Sequence, residues 1–80
     1  MIDLKKENEE FKLFMLFKEA VESERRAQRM YQNLILACSD PKIKEILESF
    51  LKDEIRHEQE VIKRYNELKN SLKIQDELKD

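Results

Sequence analysis

The feature that most constrains this chain is an absence: its 80 residues contain no Gly and a single Pro. Glycine most readily supplies the positive-φ backbone that two-residue hairpin turns demand, so the chain has no easy route to such turns, which argues against a sheet. Instead, 42% of the chain is Asp, Glu, Lys or Arg, interspersed with Leu, Ile and Ala, a composition of long helices. The expected fold class is all-α. The one strong break is Ser39-Asp40-Pro41. Asp is a good N-cap, and Pro suits the first helical position, where its missing N–H would have no partner in any case. This predicts helix 1 over about residues 3–38 and helix 2 over about 41–70. Asn70-Ser71 is a weaker stop, and residues 71–80 are expected to form a short third helix, a continuation or a tail. Residues 1–80 thus read as one domain, an antiparallel two-helix hairpin.

Such a hairpin is incomplete. Two rods side by side bury one stripe each, which is little core for a domain. The stretch Leu13-Phe14-Met15-Leu16-Phe17 is apolar on every side of the helix, so a single neighbour cannot cover it. A homodimer closing into a four-helix bundle is the minimum expectation, and a larger ring is compatible with the pattern.

Charge excludes several partners. Sixteen basic and 18 acidic residues leave a net charge of −2 with no basic stripe, so neither nucleic acid nor an anionic membrane surface is expected. No apolar run approaches the roughly 20 residues of a membrane span, and no signal peptide is expected. Cys38 stands alone, which rules out a disulfide framework or a Cys-x-x-Cys metal site. It is expected to be a small buried hydrophobe in a reduced, cytoplasmic setting.

The informative residues are charges on the apolar stripes. Helix 1 presents Phe14, Phe17, Ala20, Val21, Ala27, Tyr31, Leu34, Ile35 and Cys38, and steps of three and four through them land on Glu24. Helix 2 presents Ile43, Ile46, Leu47, Phe50, Val61, Tyr65 and Leu68, interrupted by Glu54 and His57. Measured from the break, Glu24 lies roughly 23 Å down one helix and Glu54 and His57 roughly 21 and 26 Å along the other, so all three meet at one level. Withdrawing carboxylates from water needs a compensating charge, and no Lys or Arg is expected on the stripes there. A metal ion with Glu oxygens and a neutral imidazole as ligands fits the need. One hairpin supplies three ligands. Two hairpins about a two-fold axis supply four Glu and two His, the ligand set of di-iron and di-manganese bundles, and four carboxylates balance two divalent cations. The plainer account is a structural hairpin in which Glu-x-x-His has arisen by chance. Glu19, Glu22, Glu58 and Glu60 are read as solvated charges, Tyr65 as a stripe residue, and Phe14 and Phe17 as core or interface.

The stretch from Glu24 through Ala27 to Tyr31 resembles the first helix of rubrerythrin-like and other ferritin-like proteins, and Glu54-x-x-His57-Glu58 is similar to their second. The likeness covers about residues 14–65. A single half of the usual bundle, with thirty residues between the ligand Glu positions, is similar to the encapsulated ferritins. The chain departs from that pattern at Ser23, Arg26 and Met30. The resemblance implies that Glu24, Glu54 and His57 are metal ligands and the catalytic residues of a ferroxidase-like di-iron site shared by two subunits. Tyr31 would hydrogen-bond a ligand carboxylate from behind. It implies binding of Fe(II) and its oxidation by O₂ or peroxide, in iron storage or detoxification, with a nanocompartment shell or an electron donor as further partners. Location inside an encapsulin-type compartment would follow from the first of these. Other readings are rubrerythrin-like peroxide reduction with an outside electron donor, and a non-catalytic module holding iron, manganese or zinc, or no metal.

Overall fold

The computed structural model describes residues 4–76 and 78. Two helices, α1 (Leu4–Ala37) and α2 (Pro41–Leu72), run antiparallel and pack along their length, and the described residues form no strand. The rod measures 61 × 18 × 14 Å. Neither helix is long and apolar enough to cross a membrane. The expected start near Asp3 lies outside the described residues, as do 77, 79 and 80 of the tail.

The break between the helices forms as its residues dictate. Asp40 takes an extended conformation (φ −81°, ψ 117°), and its carboxylate accepts hydrogen bonds from the backbone N–H groups of Lys42 at 2.8 Å and Ile43 at 3.3 Å. The Asp40 carbonyl accepts the first helical bond, from Lys44 N–H at 2.9 Å. Cys38 is half-exposed at this turn rather than buried, with its Sγ 3.5 Å from the Asp40 carbonyl oxygen.

At the other end α2 passes through Asn70-Ser71, two residues beyond the expected stop. Lys73 ends it by adopting left-handed angles (φ 54°, ψ 38°). The Lys73 N–H then bonds to the Asn70 carbonyl at 3.2 Å and the Ile74 N–H to the Lys69 carbonyl at 3.0 Å. This is the paired closure that usually falls to Gly, and a Lys holding it costs roughly 1 kcal/mol. A third helix does not form among the described residues. Residues 74–76 instead turn back on the hairpin, and Asp76 accepts a hydrogen bond from the Tyr65 hydroxyl and an ion pair from Lys18 Nζ at 3.0 Å.

The core of the single chain is thin. Phe14, Val21 and Tyr65 retain 3%, 0% and 1% of their accessible surface, and the Phe14 and Tyr65 rings stack at 5.0 Å. Within the hairpin seam the half-buried and buried residues recur every seven positions, as Leu51, Glu58, Tyr65 and Leu72 do on α2. That is the period of helices wound about one another. A second series with the same period is left uncovered: Leu13 and Leu34 on α1, with Ile43 and Phe50 on α2, are 45% to 51% exposed. Ala20 and Ala27 complete the series on α1, and His57 follows Phe50 on α2. The Tyr31–Phe50 ring contact at 5.7 Å places both series on one side of the hairpin.

Two outcomes follow. Asp40→Ala removes the α2 cap and lowers stability by about 1 kcal/mol, measured by urea unfolding at fixed chain concentration. The Tyr65 hydroxyl, buried and bound to Asp76, has its pKa pushed up from 10.0 to about 12. The raised pKa means that its protonated form is favoured by folding, so this stabilisation is complete below pH 10 and lost as pH rises through about 12. Absorbance titration of tyrosinate should show this late phase, and Asp76→Ala should bring it earlier.

Candidate metal centre

The Phe14–Tyr65 and Tyr31–Phe50 contacts fix an antiparallel register that sets Glu24 between the levels of Glu54 and His57. Each of the three offers a ligand atom, and these atoms all lie within 4.8 Å of one another. His57 Nδ1 is 3.9 Å from Glu24 Oε2 and 3.8 Å from Glu54 Oε2. Bonds of about 2.0–2.2 Å to one ion require ligand atoms no more than about 4.4 Å apart, so both separations are already within a single ion's reach. The donor set, two hard anionic oxygens and one imidazole nitrogen, suits a divalent first-row metal.

Burial of the three is unequal. The Glu24 and Glu54 side chains retain 23% and 22% of their surface, whereas His57 retains 50%. The carboxylates thus lie in the hairpin seam, and the imidazole stands at its edge, in line with the uncovered Ile43 and Phe50.

Electrostatics mark the cluster as unsatisfied. The Glu24 carboxyl has a pKa raised above its ordinary value of 4.5. The first cause is its hydrogen bond with the Glu54 carboxyl, followed by burial and the negative charge of Glu54, with His57 opposing the rise. Glu24 Oε2 is buried with no hydrogen-bond partner. An orphaned carboxylate oxygen facing a second carboxylate and an imidazole is the arrangement that a cation completes.

The surroundings correct two expectations. Glu58 is not a solvated charge: Arg25 Nε donates to its Oε2 at 2.9 Å across the helices, with both side chains largely covered. A cation does therefore reach this level of the seam, and Arg25 and Glu58 lock the register one residue beyond Glu24 and His57. Glu60 keeps to the outer face with Arg64 and Glu67, and Glu19 and Glu22 are exposed. The Tyr31 ring packs on Phe50, nearer the hairpin turn than the cluster. Among the described residues no hydrogen bond joins its hydroxyl to Glu24 or Glu54.

Gln28 is the residue that pattern reading passed over. Steps of seven through Phe14, Val21, Gln28 and Ile35 put a second polar group on the α1 seam one turn beyond Glu24. Its Nε2 is buried without a partner.

The raised Glu24 pKa has a consequence for the metal-free protein. Its protonated form is favoured by folding, so the stabilisation is present below about pH 4.5 and fades as pH rises through the higher folded value. Above that range the ionised form of Glu24, penalised by burial and by the charge of Glu54, opposes folding. Glu24→Gln should therefore raise the metal-free melting temperature at pH 7, with the gain shrinking toward pH 4. An unchanged or lower melting temperature at pH 7 contradicts this picture.

Set against known proteins, the chain matches no protein-family model, no curated protein and no solved structure.

Proposed function

We propose that two copies of this chain pair along the uncovered face to form a four-helix bundle of ferritin-like type. At the join they bind a pair of divalent metal ions through Glu24, Glu54 and His57 of each copy. Iron is the expected occupant, and the activity is oxidation of Fe(II) by O₂ or peroxide. The observation that carries this is the convergence of three ligand atoms within 4.8 Å on the edge of an apolar face that the single chain leaves bare.

Each feature has a job in that reading. One chain has too few ligands to hold two ions; two chains supply four carboxylates, whose charge balances two divalent cations. The second copy would cover Ile43 and Phe50 and withdraw the half-exposed His57 from water. Ala20 and Ala27, either side of Glu24, would let the partner's backbone come close. Covering the site removes competing water and strengthens every charge interaction within it. The carboxylates would stabilise the higher oxidation state over the lower, and His57 would offer a ring nitrogen as ligand. Two Fe(II) would give one electron each: with two protons these reduce peroxide to two waters, or O₂ to hydrogen peroxide.

The test is anaerobic loading with Fe(II), followed by O₂ or peroxide, while oxidant consumption and ferric absorbance are recorded. Rapid oxidation well above the rate in buffer is expected. Glu24→Ala and Glu54→Gln should each lower metal affinity and oxidation rate at least about 10-fold. Firm metal uptake with no oxidation would reassign the ions to a structural clamp between subunits. No uptake at all would falsify the metal reading.

A further inference from the structure

The metal reading leaves one buried group unexplained. Among the described residues, the buried side-chain polar atoms that lack hydrogen-bond partners are Glu24 Oε2 and Gln28 Nε2. The two residues stand four apart on α1, one turn and about 6 Å along the helix. Gln28 follows the fully buried Val21 by seven residues, so its stem lies in the seam. An amide there is costly unless something accepts its hydrogens. Negative oxygens attract the NH₂ end of the amide, not its carbonyl.

We infer that Gln28 is a positioning residue: when the Glu24 carboxylate engages a cation, Gln28 donates to the carboxylate's remaining lone pairs and holds it in the ligating orientation. This rests on the metal reading above. Groups that hydrogen-bond metal ligands from behind commonly govern affinity about 10- to 100-fold. Position i+4 on the same helix lets the amide follow Glu24 whatever the partner subunit does.

The experiment uses the full chain with Co(II) as probe, followed by visible absorption. Gln28→Leu and Gln28→Met, both uncharged and of similar bulk, are compared with the unaltered chain. Both should weaken Co(II) binding roughly 10- to 100-fold and shift the Co(II) bands. Their metal-free melting temperatures should hold or rise, because the unpaired amide is gone. Unchanged affinity in the folded variants overturns the inference. So does weakened binding accompanied by a lower metal-free melting temperature in both, which marks a packing role. If the unaltered chain binds no Co(II), the metal reading fails first and the role of Gln28 falls with it.

Discussion

Two carboxyl groups from different helices share one stretch of a narrow seam, close enough to hydrogen-bond to each other and to feel each other's charge. Glu24 and Glu54 come from different helices, keep less than a quarter of their side-chain surface, and sit close enough for one to raise the pKa of the other. In water such a pair would separate. Here the register forbids it, because the Phe14–Tyr65 stack on one side and the Tyr31–Phe50 contact on the other pin the helices at fixed levels. The Arg25–Glu58 pair adds a third pin beside the cluster. Its cation is engaged by Glu58, and the orphaned Glu24 oxygen remains. The fold thus holds two carboxyl groups together at one level of the seam and leaves one of their oxygens without a hydrogen-bond partner.

The same geometry leaves an apolar face of the single chain bare. Among the described residues three side chains are buried, a small core for two long helices. The second seven-residue series runs beside the first on one side of the hairpin, and His57 belongs to it. The uncovered apolar surface and the half-exposed His57 are therefore parts of one face. Pairing would cover both in a single step, and would make stability, metal content and chain concentration interdependent.

Much of this was legible in the residues. The missing glycines and the Asp40-Pro41 cap set two helices with one turn, because those signals act through the local backbone. The level of the cluster followed from counting along two rods of known rise. What escaped was decided by neighbours. Glu58 looked like one more solvated charge until the packing of α2 turned it inward to Arg25. Gln28 was missed because steps of three and four found Glu24 first, although the seven-residue spacing from Phe14 and Val21 pointed to it. The stop at Lys73 was hidden because its closing turn uses a residue that resists left-handed angles. The clasp of Asp76 onto Tyr65 and Lys18 joins residues far apart in the chain, which no periodicity encodes.

The claim that two copies complete one site is tested most directly by measuring mass and metal on the same sample, with light scattering and elemental analysis across a single chromatographic peak. The account predicts an even number of chains and about one divalent ion per chain, the stoichiometry of a two-metal site shared by two hairpins. It also predicts that the ions stay with the assembly and are lost when Glu24 is replaced. A single-chain species that holds the metal equally well, or a stable dimer whose metal content is indifferent to Glu24, would contradict it.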